Sequence, residues 1–263
     1  MATPCNARPG MLLDPGAPIN KGLVGWWPMW EGSGGKTLDI SGKNNHGTLT
    51  NGPLWAGGGL KFDGTDDYVD AGNNSNLRIT GTNISVFGWV RPESQSTYRG
   101  IIAKYGAAGQ RSYLLYMSNV NKPSFLISTG GTLYYTDRAG NADTVPDNVW
   151  SFLVGTFDGR YVKIYRNGDL KYTDDIGTSG NAIDDSTTQP VEMGRYTGAN
   201  FFKGSLSGGR ICSRTLNASE VQQLYVKPNI GLWVPDITRY YIPAAGGADV
   251  RRKIIPAYMR FAA

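Results

Sequence analysis

The feature that most constrains the fold is a series of short strand-like runs separated by loops of small polar residues. Between residues 22 and 72, an aromatic run containing Trp26 and Trp27 precedes a loop rich in Asp, Asn and Gly, and two further short runs meet at the turn 64–67. Asp, Asn and Gly favour turns, and few strong helix formers are present. The pattern therefore predicts an all-β domain.

The same pattern continues over most of the chain. Residues 149–157 alternate, so that Phe152 and Val154 share one face of a predicted strand while Leu153 lies on the other. Asn167-Gly168 separates two strand-like runs and predicts a hairpin, because both turn positions need a positive φ. Further strands are predicted at residues 84–90, 101–104, 113–117, 124–128, 132–136 and 161–166.

One helix is predicted near the end of this region, over residues 218–225. Asn217 is a suitable N-cap, and Glu220 follows three residues later, as in a capping box. The apolar residues at helical spacing should face the core. They are Leu216, Val221 and Leu224.

Length and composition fit one large β domain with extra segments. The chain has 263 residues, 36 of them Gly, and a net charge of +5 that is partly concentrated in basic residues near the C-terminus. Such a charge suits an acidic partner, but no nucleic-acid-binding signature accompanies it. Cys5 and Cys212 are too few for a disulfide framework, and free thiols are expected.

Two Pro-rich segments flank the predicted domain. We predict an extended N-terminal arm over residues 1–21, a domain over 22–226 and an extended C-terminal arm over 227–263. Both arms carry apolar side chains that should seek burial, either on the domain itself or on another subunit. Disordered polar tails lack such side chains. These partner-binding residues are Met11, Leu12, Leu13, Trp233, Tyr240, Tyr241, Ile254, Ile255 and Phe261.

Several motifs, in order and spacing, resemble bacterial and phage laminin G-like modules of the concanavalin A-like group. They are the opening run 22–72, Trp150–Gly159, the Tyr165-Arg166-Asn167-Gly168 hairpin, and the closing strand and helix from Phe202 to Val221. The resemblance covers about three quarters of the chain. It implies a jelly-roll sandwich with one short C-terminal helix, and modules of this kind usually bind glycans or proteins without catalysing a reaction.

The residues themselves also argue against catalysis. His46 is the only histidine, which excludes a His-centred metal site and makes a Ser-His-Asp triad improbable. Glycoside hydrolysis needs two facing carboxyl groups, yet no two Glu residues are close in sequence. Adjacent pairs such as Asp66-Asp67 point to opposite faces of a strand and are interpreted as turn residues. No enzyme activity is expected.

A calcium site is the one cofactor that the resemblance suggests. The loop from Asp39 to Gly47 is similar to one that supports calcium in many laminin G-like modules, with Asp39 and Asn45 as the candidate ligands. Those relatives also carry acidic residues where this chain has Ser207-Gly208-Gly209. The alternative is a loop closed by its own hydrogen bonds, with no cofactor.

Aromatic residues offer a second kind of candidate site. Sugars stack on exposed aromatic rings, although the same rings also fill jelly-roll cores and subunit contacts. The tryptophans within strand-like runs, such as Trp89, are assigned to the core. The tyrosines that we consider for stacking are Tyr98, Tyr105, Tyr134, Tyr135 and Tyr196.

The Pro- and aromatic-rich extension after the helix resembles what phage versions of this module carry. It implies a structural protein of a tailed-phage virion, such as a capsid decoration or surface protein, assembled in the host cytoplasm. Its arms would bind the major capsid protein, a tail protein or copies of the same chain. The N-terminus contains no apolar run that fits a signal peptide, which suits release by lysis.

The alternative is a lectin-like module, for example in a tail fibre or a receptor-binding component, that recognises host-surface glycans. Neither function involves a membrane span or direct contact with nucleic acid.

Overall fold

Two antiparallel β-sheets pack face to face to form the domain. The computed structural model describes residues 11–94, 97–137 and 141–233, and the backbone of two short strands beyond them. In chain order the strands are β1 (Leu12–Leu13), β2 (Leu23–Trp27), β3 (Lys36–Thr37), β4 (Gly47–Thr50), β5 (Leu54–Ala56), β6 (Gly59–Asp63), β7 (Tyr68–Asp70), β8 (Ile84–Pro92), β9 (Arg99–Tyr105), β10 (Arg111–Met117), β11 (Pro123–Thr129), β12 (Thr132–Tyr135), β13 (Ser151–Phe157), β14 (Tyr161–Arg166), β15 (Asp169–Asp175), β16 (Glu192–Met193), β17 (Lys203–Cys212), β18 (Leu232–Trp233), β19 (Arg239–Tyr240) and β20 (Lys253–Ile254). Helix α1 spans Ala218–Val226, and 3-10 turns span Pro18–Asn20 and Ser75–Leu77.

The strand order of the two sheets confirms the predicted all-β, concanavalin A-like sandwich. The front sheet has the order β12-β11-β10-β9-β16-β7-β4-β3. The back sheet has the order β15-β14-β13-β8-β17-β6-β5, and β2 pairs with the second half of β17. The helix α1 is the one α-helix in the part of the chain that is described. None of the described helices combines the length and apolar character needed to cross a bilayer.

The alternation along β13 divides apolar side chains between two cores. Leu153 and Phe157 lie in the core between the sheets, whereas Phe152 and Val154 pack on the outer side of the back sheet. This is the division that the sequence predicts. The hairpin between β14 and β15 also forms as predicted, with φ values of 55° at Asn167 and 90° at Gly168.

Helix α1 covers the outer side of the back sheet. Its N-terminus carries the predicted capping box, since the Asn217 side chain accepts a hydrogen bond from the Glu220 backbone N–H and the Glu220 side chain accepts one from the Asn217 backbone N–H. Val221 and Leu224 are buried against Trp89 and Phe152 of the sheet. The second core therefore lies between the back sheet and the helix.

The described parts of both arms join this second core. Leu12–Leu13 pairs antiparallel with Leu232–Trp233, and Leu13 packs on the core while Leu12 is exposed. The buried Asn20 side chain fastens the two segments, because its Nδ2 donates to the Asp14 carbonyl oxygen at 2.7 Å and to the Gly231 carbonyl oxygen at 2.8 Å. The two chain ends thus leave the domain side by side.

Not all of the predicted arm residues can be located. Met11 is partly buried, and Tyr240 and Ile254 lie in strands β19 and β20, whose backbones pair. Tyr241, Ile255, Phe261 and Cys5 lie outside the described residues. The proposed boundaries at 21 and 226, and the role of the arms, remain predictions. Cys212 is a buried free cysteine.

Candidate functional site

A groove lined by tyrosines crosses the outer face of the front sheet. Side chains from neighbouring strands form a row on this face, since Leu114 of β10 is paired with Ala103 of β9 and with Leu126 of β11, which in turn is paired with Tyr135 of β12. The groove has a volume of about 290 Å³. We call it the tyrosine groove, and its lining residues are Tyr98, Tyr105, Leu114, Tyr116, Leu126, Tyr135, Asp137 and Tyr196.

Four of these rings form a continuous series. The Tyr98 and Tyr116 ring centroids are 6.1 Å apart, those of Tyr116 and Tyr196 are 6.4 Å apart, and those of Tyr196 and Tyr105 are 5.7 Å apart. These separations lie in the range of favourable aromatic pairs, so the rings hold one another in place. Tyr98 and Tyr135 are the most exposed, at 41% and 37%. The groove therefore presents a fixed aromatic surface to solvent.

Gly100 positions one wall of the groove. The loop that carries Tyr196 crosses β9 at this residue, and the Gly100 backbone N–H donates to the Asn200 carbonyl oxygen at 3.1 Å. A Cβ atom at Gly100 would lie 2.4 Å from the carbonyl carbon of Arg195 and 2.8 Å from the Tyr196 nitrogen. Only glycine allows this close approach, which brings the Tyr196 ring over the sheet.

The three more buried phenol groups of the groove, those of Tyr105, Tyr116 and Tyr196, remain protonated near neutral pH. Burial raises the pKa of Tyr196 to about 12, and the neighbouring Tyr105 contributes to this rise. Burial likewise raises the pKa values of Tyr105 and Tyr116, and the negative charge of Asp137 adds to the effect at Tyr116. A neutral phenol both donates and accepts a hydrogen bond. The groove thus combines apolar ring faces with polar hydroxyl groups.

Asp137 is the one carboxylate among the described residues that line the groove. Hydrolysis of a glycosidic bond by the usual acid and base, or acid and nucleophile, requires two carboxyl groups on opposite sides of the bond. The described lining supplies one of them.

Four of the five tyrosines considered from the sequence lie in this groove. Tyr134 does not, because adjacent strand residues point to opposite faces and its ring packs against the core between the sheets. Sequence reasoning missed Tyr116. Every residue of β10 after Arg111 and Ser112 is apolar or aromatic, so no alternation reveals that Leu114 and Tyr116 face outward.

The predicted calcium loop lies far along the front sheet and is closed by hydrogen bonds. Asp39 Oδ1 accepts from the backbone N–H groups of Trp26 and Ser41, each at 2.9 Å. Asp39 Oδ2 accepts from the Ser41 hydroxyl at 2.8 Å and from the Asn45 N–H at 2.9 Å. The Asp39 backbone N–H donates to His46 Nδ1 at 3.0 Å. Each carboxylate oxygen thus already has two donors.

The side-chain amide of Asn45 also has hydrogen-bond partners within the protein. Its Nδ2 donates to the Val24 carbonyl oxygen and to Asn76 Oδ1, both at 2.8 Å, and its Oδ1 accepts from Asn74 Nδ2. Calcium binding at Asp39 and Asn45 remains a prediction, and an ion there would have to replace some of these contacts.

One other acidic group lies at the predicted turn between β6 and β7. The carboxylates of Asp63, Asp66 and Asp67 lie within 4.8 Å of one another. Burial raises the pKa of Asp67, and the charges of Asp63 and Asp66 add to this effect. Backbone N–H groups of the turn bind Asp63, beginning with that of Thr65 at 2.7 Å. These hydrogen bonds give the Asp63 carboxylate a structural role in the turn.

The fold is that of a known superfamily of β-sandwich proteins. Residues 63–222 match the family model described as the concanavalin A-like lectin/glucanases superfamily. The match covers more than half of the chain, and the chain therefore belongs to this superfamily. No curated protein sequence matches it.

Solved structures with the same fold include binding domains. The binding domain of Paraclostridial Mosquitocidal Protein 1 superposes with a TM-score of 0.59 at 15% identity, over 84% of this chain and 55% of that domain. The binding domain of botulinum neurotoxin serotype G gives 0.60 at 19% identity, over 83% and 56%. The chain thus spans little more than half of either toxin domain.

A third structure is matched over almost its whole length. Domain 4 of an extracellular arabinanase from Geobacillus stearothermophilus, solved in complex with arabinotriose, has a TM-score of 0.54 at 18% identity. The match covers 77% of this chain and 98% of that domain. At such identities these likenesses define the fold alone.

Proposed function

We propose that the chain is a non-enzymatic carbohydrate-binding module whose ligand lies in the tyrosine groove. The observation that carries this proposal is the series of ring contacts from Tyr98 through Tyr116 and Tyr196 to Tyr105. The C–H faces of a sugar pack on aromatic rings, while its hydroxyl groups exchange hydrogen bonds with phenols. The superfamily and the arabinotriose complex of the arabinanase domain support this reading.

Burial of the rings prepares the groove for such a ligand. Tyr105 and Tyr116 are less than a tenth exposed, so the sheet already fixes them before a ligand arrives. A preformed site avoids much of the entropy cost of ordering side chains on binding. Tyr98 and Tyr135 are more exposed to solvent, and their rings can contact a ligand along its length. The groove is open, which suits an oligosaccharide rather than an enclosed small molecule.

Glycan-array screening followed by calorimetry on the best ligand tests this function. Tyr98→Ala and Tyr135→Ala should each weaken binding by about 1–2 kcal/mol, or about 5- to 30-fold, because stacking area is lost. Tyr161→Ala is the matched control, since Tyr161 lies in β14 of the back sheet, away from the groove. Absence of any array ligand, or equal losses in all three variants, would refute the proposal.

A second function concerns the arms, and it can coexist with the first. We propose that the chain is a structural component of a tailed-phage virion, on the capsid surface or the tail, and that its arms hold it to capsid or tail proteins or to copies of itself. The paired ends of the arms lie on the back sheet, across the domain from the tyrosine groove. A tether on that side would leave the groove open to host-surface glycans.

Mass spectrometry of purified phage particles tests the second function. The chain should be recovered from particles banded on a density gradient, in a fixed ratio to the major capsid protein or to a tail protein. Recovery only from the soluble fraction of the lysate would contradict it. That outcome would leave the carbohydrate-binding proposal intact.

A further inference from the structure

Arg111 extends the series of rings in the tyrosine groove. It is the first residue of β10, and its Cα is paired with that of Tyr105 on β9. The Arg111 guanidinium carbon lies 5.3 Å from the centroid of the Tyr105 ring. The row of aromatic contacts therefore ends on a cation that is partly buried.

This guanidinium lacks the partners that the other arginines nearby possess. Arg111 Nε is buried and has no hydrogen-bond partner, and Arg111 takes part in no salt bridge among the described residues. In contrast, Arg78 pairs with Asp185, and Arg195 pairs with Glu192 at 2.5 Å. A buried donor without an acceptor is costly and calls for an explanation. Because Nε is out of reach of solvent, a ligand can meet only the remaining edge of the guanidinium.

Arg111 is also reachable from outside. It lines two depressions next to the tyrosine groove, with volumes of about 520 and 320 Å³. The carboxylates in their walls already hold other partners. Asp184 accepts from the Ser128 hydroxyl at 2.6 Å, and Asp70 accepts from the Gly72 N–H at 2.8 Å. The remaining two, Asp185 and Glu192, belong to the arginine pairs given above.

We propose that the ligand of the tyrosine groove is an acidic oligosaccharide and that one of its carboxylates pairs with Arg111. This inference rests on the proposed carbohydrate-binding function and specifies its ligand class. The planar guanidinium matches a carboxylate with two parallel hydrogen bonds, and stacking on Tyr105 holds its plane in place. A neutral glycan would leave the Arg111 guanidinium without a carboxylate paired to it. The net charge of +5 further favours the approach of an acidic ligand.

The test uses a panel of oligosaccharides that contain uronic or sialic acid, each with its carboxyl-reduced neutral counterpart, and a set of sulfated oligosaccharides. The full chain should bind at least one carboxylated member about tenfold or more tightly than its reduced counterpart. In Arg111→Gln that preference should disappear while binding of the reduced counterpart persists. Added salt should weaken the wild-type preference as well.

Two control variants sharpen the result. Arg160→Gln makes the same change in net charge in the turn between β13 and β14 of the back sheet and should keep the full preference. Arg111→Lys keeps the charge but not the paired hydrogen bonds and should keep only part of it. Equal affinity of wild type for both counterparts, equal weakening of both by Arg111→Gln, or binding of sulfated members alone would overturn the inference. If no member of any kind binds, the carbohydrate-binding function fails with it.

Discussion

At the scale of single residues, the Asp39 carboxylate holds the loop before β4 in its conformation. This buried carboxylate accepts four hydrogen bonds and fastens β2 to the loop before β4. Substitution by Ala would leave these donors unpaired in a region that excludes water. The Asp39 side chain thus supplies the acceptors that join the Asp-, Asn- and Gly-rich loop to β2.

We predict that Asp39→Ala lowers the free energy of unfolding by about 3 kcal/mol, since a buried donor left unpaired costs about 1–3 kcal/mol. Urea denaturation followed by tryptophan fluorescence measures this change. A loss below about 1 kcal/mol would contradict the account of the loop. The same measurements in calcium and in chelator test the calcium prediction, because a bound ion would stabilise the wild type and not the variant.

Lys104 provides a second prediction at this scale. Its buried ammonium donates to Asn73 Oδ1 at 2.5 Å and to the Gln189 carbonyl oxygen at 2.6 Å. Burial lowers its pKa from 10.5 to about 8, and of the nearby charges Asp185 raises the pKa while Arg78 lowers it. Between these two pH values the unfolded chain binds more protons than the folded one. The cost of burying the charge is therefore relieved as the pH rises.

The free energy of unfolding of the wild type, minus that of Lys104→Met, should therefore increase from pH 8 to pH 10. The comparison cancels the contributions of the buried tyrosines and of Cys212, which both proteins share. Denaturant titrations at several pH values in this range measure the difference. Parallel stability curves for the two proteins would show that the folded-state pKa of Lys104 is not lowered.

At the scale of elements, the close approach of the Tyr196 loop to β9 links a backbone position to ligand binding. Gly100→Ala should push the loop away from the sheet, because its Cβ would overlap the Arg195 carbonyl group. We expect glycan affinity to fall about tenfold or more, because the Tyr196 ring would move away from the tyrosine groove. Calorimetry measures the affinity. Gly81→Ala is a matched control, since its Cβ would meet no atom within 4 Å.

Sequence reasoning succeeded where small or polar residues interrupt the apolar pattern and failed where every position is apolar. The alternation of β13 could be predicted because Ser151, Gly155 and Thr156 separate its apolar residues. The cap of α1 could be predicted because the first N–H groups of a helix need acceptors. In β10 the outward Leu114 and Tyr116 form the floor of a groove, so nothing distinguishes them from the inward Tyr113 and Leu115. The unpartnered state of Arg111 depends on neighbours that only the folded chain brings together.

At the scale of the whole molecule, the domain has four successive layers. The tyrosine groove lies outermost on one side, followed by the front sheet, the back sheet, and then α1 with the paired ends of the arms. The two proposed functions therefore use opposite sides of the domain. A ligand and an assembly partner can be bound at the same time without competing for surface.

The two hydrogen bonds donated by the Asn20 side chain predict how the arms respond to a protease. Asn20→Ala removes both hydrogen bonds that join the segments near Asp14 and Gly231. Trypsin should then cut faster after the exposed residue Lys21, which borders the N-terminal arm, because the backbone there must open to enter the protease. Mass spectrometry of timed digests measures the rates, with cleavage after Lys36 as an internal reference. Unchanged rates would mean that other contacts hold the arms.

The antiparallel pairing of Leu12–Leu13 with Leu232–Trp233 has a mechanical consequence. The chain enters at Leu12 and leaves at Trp233, which are opposite each other in the register. A force that pulls the two ends apart would therefore load the hydrogen bonds one after another, as in unzipping, rather than all together. The short pair would yield first and release slack, and the sheets that carry the groove would feel tension only after that slack is used.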